Sequence, residues 1–358
     1  MKLRPIAFVL PQFHPIPEND AWWGKGFTEW TNVTKATPLF EGHYQPHLPT
    51  DLGFYDLRLP EARKAQADLA KEHGIHGFCY YHYWFNGKRL LDQPIDGMLE
   101  QKDLDMPFML CWANENWNRR WDGMENEILI KQEYSFKDDV NHMRWLCTNV
   151  FSDNRYIKVD GKPVFVIYRY NLFPDIEKTL KVWRDIAKNE FGFKDLYLCF
   201  TESFGDITQP AKIGFDAAIE FSPHAVIKNK IKSITTHSVF NIFKKQKKSL
   251  KIDFRDFELG VKNCMERPSP DYKLYRGITP SWDNTSRKKE NWIVAKESSP
   301  ELYFKWLKHV VDNFKPYSKE ENFVFINAMN EWAEGNHLEP CIKYGRAYLE
   351  ATKKALEI

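Results

Sequence analysis

A single (β/α)8 barrel of TIM type is the fold class this sequence predicts, an α/β protein with long insertions after its first and sixth strands. Three observations predict it. Eight short apolar runs, rich in aromatic and β-branched residues, alternate with helix-like segments, which implies right-handed βαβ units around a parallel sheet. The chain has 358 residues, and barrels run from about 250 residues to beyond 400 when they carry insertions. The rival, a doubly wound open sheet, would be signalled by Gly-x-Gly-x-x-Gly after the first strand, and no such loop follows it.

The expected strands are, in order, Pro5 to Leu10, Gly77 to His82, Phe108 to Ala113, Val164 to Tyr168, Leu196 to Phe200, Ala217 to Phe221, a seventh near Tyr275 to Pro280, and Phe323 to Ala328. Helical patterns are expected around Pro60 to His73 and Thr179 to Asn189. One catalytic domain spans 1–358 on this reading. The first insertion, 11–60, holds Trp22-Trp23-Gly24 and His43-Tyr-Gln-Pro-His47. Loops this long are uncommon unless functional or disordered, and this one is too aromatic for disorder, so it is expected to roof the pocket. The second insertion, 224–273, carries Lys228, Lys230, Lys232, Lys244, Lys245, Lys247, Lys248 and Lys251 around Val239-Phe240-Asn-Ile242-Phe243. A solvated face is its ordinary reading. Its sharper reading is peripheral contact with an anionic membrane surface, where each basic residue contributes about 1 kcal/mol.

Composition narrows the function classes. Fifty-one basic against 49 acidic residues leave a formal charge of +2, which gives no global field for nucleic acid. Aromatics are abundant instead, with Trp 13, Tyr 16 and Phe 26, many in polar surroundings that suit a carbohydrate cleft. The six cysteines form no Cys-x-x-Cys or Cys/His pattern; Cys79, Cys111 and Cys199 lie in apolar runs, as reduced buried thiols of a cytoplasmic protein do. The first residues enter a strand without a cleavable leader pattern, and no apolar run reaches the roughly 18–20 residues of a membrane span. The expected location is therefore cytoplasmic, with peripheral contact at the inner membrane.

Barrel active sites gather at the C-terminal ends of the strands. Here those ends carry Gln12 and His14; His82, Tyr83 and Trp84; Asn114, Glu115 and Asn116; Tyr168 and Arg169; Glu202; Glu220; Trp282 and Asp283; and finally Asn330, Glu331 and Glu334. Glu331 and Glu334, interleaved with Trp332 and closed by Gly335, are the catalytic candidates. Paired carboxylates break glycosidic bonds, one protonating the leaving oxygen while the other assists at the sugar. Acidic residues opening a helix would look the same in sequence. Besides the strand-end residues, the sugar-binding candidates include Glu29 and also Trp23, Trp30, Trp112, Trp117 and Trp332, whose indoles offer apolar faces. Glu115 either binds a hydroxyl or pairs with Arg119 or Arg120. His14 and His82 have Gln, Tyr and Trp for neighbours, which is not a ligand set, so neither metal nor cofactor is expected.

Ile6-Ala-Phe-Val-Leu-Pro-Gln-Phe-His14, Trp23-Gly-Lys-Gly-Phe-Thr-Glu-Trp30, Gly77-Phe-Cys-Tyr-Tyr-His-Tyr-Trp84, Cys111-Trp-Ala-Asn-Glu-Asn-Trp117 and Asn330-Glu-Trp-Ala-Glu-Gly335 together resemble the WbsX-type proteins of bacterial O-antigen and polysaccharide clusters, which are labelled glycosyltransferases. The likeness covers nearly the whole chain. More distantly, the chain is similar to the endo-α-mannosidases of glycoside hydrolase family 99, which are (β/α)8 barrels. That resemblance implies retention of configuration without a protein nucleophile. Glu331 would act as base on the sugar 2-hydroxyl to give a 1,2-anhydro sugar, and Glu334 as acid/base for the leaving oxygen. It also implies an α-mannoside- or α-rhamnoside-like linkage in a lipopolysaccharide, O-antigen or capsule, reached as an oligosaccharide or lipid-linked glycan. Two other readings are a glycosyltransferase using an activated donor and an inactive glycan-binding barrel. The intact glutamate pair argues against the last. The lack of a phosphate-cradling Gly-rich loop or an Asp-x-Asp pair argues against a nucleotide-sugar donor.

Overall fold

The computed structural model describes residues 3–119, 124–203, 207–237 and 249–358. Its centre is a parallel barrel whose strands follow one another in space almost as in sequence: β1 Arg4–Val9, β2 Gly77–Phe85, β3 Phe108–Trp112, β4 Lys162–Ile167, β5 Tyr197–Glu202, β6 Ala217–Glu220, β7 Leu274–Tyr275, β8 Gly277–Ile278 and β9 Phe323–Ile326. Nine strands occupy eight positions, because the seventh is divided at Arg276. β7 pairs with β6, β8 pairs with β9, and β9 pairs with β1 to close the ring. The expected strands agree with those found to within a few residues. The irregular seventh run is the one that splits.

These strands read as near-continuous apolar runs because a parallel sheet wrapped in helices is buried on both faces. Phe8 of β1 stands inside the barrel, with ring centres 5.5 Å from Tyr81 and 5.8 Å from Phe325. The barrel is therefore filled with side chains below the level at which a pocket opens.

The outer helices are α1 Pro17–Trp23, α2 Glu29–Thr34, α3 Pro60–Glu72, α4 Gln93–Glu100, α5 Phe136–Asn149, α6 Ile176–Asn189, α7 Ser222–Val226, α8 Phe257–Glu266, α9 Pro300–Asp312 and α10 Ala347–Ala355. Ser135, Asp175, Asp256 and Ser299 cap α5, α6, α8 and α9 by accepting a backbone N–H of the first turn. The first insertion contributes α1 and α2. The second forms strands Lys230–His237 and Ser249–Asp256, an antiparallel ribbon extended by Trp292–Lys296, and this side sheet has no counterpart in the sequence reading. Lys230 and Lys251 pair with Asp253 at 3.0 and 3.4 Å. Lys244, Lys245, Lys247 and Lys248, with Phe240 and Phe243, lie outside the described residues. Among the described residues no helix is long and apolar enough to cross a membrane.

Candidate active site

A cavity of about 550 Å³ opens above the barrel, lined by residues that follow the strands and by the first insertion. Of the sequence candidates it gathers Gln12, Trp23, Tyr83, Glu115, Asn116, Trp117, Tyr168, Trp282, Glu331 and Glu334. Trp117 contributes to an aromatic wall, its ring 5.8 Å from Trp22 and 5.3 Å from Tyr83. Such a volume suits a ligand of several rings.

Glu331 ends a two-residue strand, Asn330–Glu331, and Glu334 ends the 3-10 turn Trp332–Glu334. The turn is pinned from behind. Asn330 exchanges hydrogen bonds with Leu10 at the end of β1, accepting its N–H at 2.8 Å and donating to its carbonyl at 3.1 Å. Gly335 follows with φ +57°, and a Cβ there would stand 2.9 Å from the side chain of Asp283, so the chain passes close over that residue. The N–H of Asp283 in turn donates to the Glu334 carbonyl at 2.6 Å.

Both glutamates are bonded to one guanidinium. Arg287 donates through Nη2 to Glu331 at 2.7 Å and through Nη1 to Glu334 at 2.8 Å. Nη2 also reaches Glu29 at 2.6 Å. Three carboxylates thus face one cation in a site removed from water. Burial pushes the Glu331 carboxyl up to about 8; Arg287 opposes the rise, while Glu334 and Glu29 add to it. Glu334 is also raised, again first by burial. A pair that interacts this strongly titrates as a unit, and burial favours the form of it that keeps a proton. Such a pair can supply an acid and a base together.

The remaining candidates lie outside the cavity lining. Glu29 is wholly buried behind the pair, and Trp30 packs among Phe13, Tyr55 and Trp332. His14 sits in the interior with Nδ1 3.1 Å from the Pro11 carbonyl. His82 faces His142 at 3.0 Å, Trp84 donates to Asp138 at 2.9 Å, and Trp112 packs against His142 and Trp183. Asn114 is a brace: it accepts the Arg169 N–H at 2.8 Å and donates to the Arg169 carbonyl at 2.8 Å. That brace aims Arg169 at Glu115, 2.8 Å away, an ionic partner from the fourth strand end; the expected alternatives, the side chains of Arg119 and Arg120, lie outside the described residues. Glu202 and Glu220 are consumed by Arg267 and Arg276. Asp283 holds His43 at 2.7 Å beside a smaller cavity of about 200 Å³. Trp332 is buried and stacks on His337 at 3.8 Å. Its indole is not the sugar platform its place between two glutamates suggested.

Several residues of the site escaped the sequence reading. Arg287 sits in the run Ser286-Arg287-Lys288-Lys289, which looks like an ordinary charged loop. Tyr81 and Asn327, both in the lining, lie within expected strands. Alternation would have found Tyr81, since it shares a face of β2 with Tyr83.

The family model described as Glycosyltransferase WbsX matches residues 5–352. Over 352 residues the chain is 42% identical to the "Uncharacterized protein WxcX" of Xanthomonas campestris pv. campestris, a match covering 98% of this chain and 49% of that protein. The chain therefore spans about half the length of the curated relatives it matches. Among solved structures, a glycoside hydrolase-like protein aligns with TM-score 0.60 at 13% identity, covering 100% of this chain and 94% of the other. The GH99 endo-alpha-mannosidase from Bacteroides thetaiotaomicron aligns with TM-score 0.58 at 13% identity, covering 99% and 96%. At such identity these two share the fold, whereas the family model and the Xanthomonas relative speak for the sequence as a whole: the chain belongs to the WbsX glycosyltransferase family.

Proposed function

We propose that the protein is a carbohydrate-active enzyme that cleaves or transfers an α-mannoside- or α-rhamnoside-like linkage of a bacterial surface polysaccharide with retention, using Glu331 and Glu334. One observation carries the reading: both carboxylates face the cavity while bonded to opposite nitrogens of Arg287. Glu334 gives its proton to the departing glycosidic oxygen as that bond breaks. Glu331 takes the proton of the sugar 2-hydroxyl, whose oxygen attacks the anomeric carbon to give a 1,2-anhydro sugar. In the return step Glu334 accepts a proton from the incoming hydroxyl, the anhydro ring opens, and Glu331 returns its proton to the 2-oxygen. Burial raises both carboxyls and the two titrate together, which lets the pair share one proton between an acid and a base.

The incoming hydroxyl is water in hydrolysis and a sugar hydroxyl in transfer. The family's description as glycosyltransferases favours transfer. Incubating aryl α-mannosides and α-rhamnosides with and without an oligosaccharide acceptor, and following the anomeric proton by NMR, tests the reading. An α product formed first supports retention; a β product formed first rejects it; turnover unchanged by Glu331→Gln and Glu334→Gln would take catalysis away from the pair, and no turnover of any glycoside would leave a glycan-binding barrel. We further propose that the acceptor or substrate is lipid-linked and that the Lys-rich insertion holds the enzyme at an anionic surface. Among the described residues Lys230 and Lys251 are already paired with Asp253, which lowers their share in such a contact.

A further inference from the structure

The chemistry proposed above requires one proton on the Glu331–Glu334 pair, yet a guanidinium bonded to both works against it. Arg287 favours the charged form of each carboxylate. Facing those two alone, it would draw both further toward the charged form. A third carboxylate counters it. Glu29 comes from the first insertion, has no exposed surface, and accepts from the same Arg287 nitrogen that serves Glu331, at 2.6 Å.

We propose that Glu29 is a positioning residue of the catalytic centre: it turns Arg287 so that each catalytic glutamate receives one nitrogen, and its charge keeps Arg287 from stripping the pair of its proton. This rests on the assignment of Glu331 and Glu334 as the catalytic pair. Glu29 is not a substrate ligand, because it lies behind the pair and outside the cavity lining.

The geometry supports both halves of the role. Glu29 Oε1 also accepts the N–H of Ala333 at 3.0 Å, the residue between Trp332 and Glu334. Its own N–H donates to the Gln12 carbonyl at 2.9 Å, and the Gln12 amide approaches Oε2 at 3.5 Å. One side chain therefore ties the first insertion to the segment after β8 and to the turn after β9. Around the pair, the other titratable groups are Tyr81 and Tyr83 on β2, Tyr168 after β4, the Glu115–Arg169 ion pair, Lys288 beside Arg287, and His224 of α7, whose pKa burial lowers to about 4. The tyrosines are neutral near pH 7. Beyond the effect of burial, the balance at the pair is thus set chiefly by three carboxylates against Arg287.

Glu29→Gln isolates the charge, because the amide oxygen still accepts from Arg287 and Ala333. The readout is the carboxylic-acid carbonyl band followed by difference infrared titration of the substrate-free protein, with Glu331→Gln and Glu334→Gln spectra to assign it. The expected result is a midpoint lower by about one pH unit or more in Glu29→Gln, the size of shift that one charge at contact distance produces. Glu29→Asp keeps the charge with a shorter reach, and its midpoint is expected to stay near that of the natural chain; it carries the test if Glu29→Gln does not fold. A folded Glu29→Gln with an unmoved midpoint overturns the proposal, as does Glu29→Asp with a midpoint lowered by a unit. Failure of the catalytic assignment would appear separately, as turnover that survives Glu331→Gln and Glu334→Gln whatever the titration shows.

Discussion

The indole N–H of Trp332 donates to the carboxylate of Glu339 at 2.7 Å, on the buried side of the turn that carries Glu331 and Glu334. Glu339 also accepts from Tyr55 at 2.8 Å and Gln66 at 2.7 Å. The segment Asn330-Glu331-Trp332-Ala333-Glu334 thus alternates in purpose. Its carboxylates reach the cavity, while Asn330 and Trp332 bolt it to the protein behind.

Burial raises the Glu339 carboxyl from an ordinary 4.5 to about 7, even though three donors favour its charged form. Between those values the folded protein holds the proton more tightly than the unfolded chain does, so stability falls as pH rises through that window and is flat above it. Glu339→Gln has nothing to titrate. The stability of the natural chain relative to this variant is therefore expected to fall by up to about 3 kcal/mol from pH 4.5 to 7. Urea titrations at several pH values measure it, and a difference independent of pH would show that Glu339 is charged throughout.

Glu334→Gln is expected to cut turnover by about 10²–10⁴, the range for losing a general acid. The loss should shrink with a good leaving group such as a nitrophenolate, which departs without a proton. Equal losses on good and poor leaving groups would take the acid role away from Glu334.

Glu331→Gln should be damaging whatever the leaving group, because its partner is the sugar hydroxyl. A 2-deoxy substrate is expected to be inert for the same reason. Rapid turnover of a 2-deoxy sugar with retention would instead make Glu331 a nucleophile.

The pH profile of kcat/KM should be bell-shaped and displaced to the alkaline side of an ordinary glutamate pair. Both carboxyls are raised, so the pair begins to lose its first proton only above the usual carboxylate range. On the acid side, activity is expected to fall at a higher pH than for an ordinary glutamate pair, because the second carboxylate takes up its proton and no base remains. An acid limb no higher than that of an ordinary glutamate would contradict the raised pair.

Changing Lys244, Lys245, Lys247 and Lys248 to Ser tests the proposed membrane contact. Co-sedimentation of the natural chain with anionic vesicles should weaken steeply with salt, since charges are screened beyond about 8 Å at physiological ionic strength. The variant should bind less at every salt concentration. Equal binding by both, or by neither, would make the insertion a solvated loop.

Much of this protein is determined locally. Apolar runs such as Phe108–Trp112 and Phe323–Ile326 identify barrel strands by themselves, because burial on both faces demands unbroken hydrophobicity. The position of Glu331 and Glu334 at the last strand end follows directly, as does the aromatic character of the first insertion. Tertiary structure decided which polar side chains of those strand ends enter the cavity. Trp30, Trp112 and Trp332 carry the same residue type as Trp23 and Trp117, yet the first three are core. An indole has both an apolar body and a donor, so only its neighbours determine whether it packs or binds. The union of Glu29, Arg287, Glu331 and Glu334 was equally invisible. These residues come from three distant stretches of chain, and a buried charge balance exists only once folding has excluded water and brought the four together.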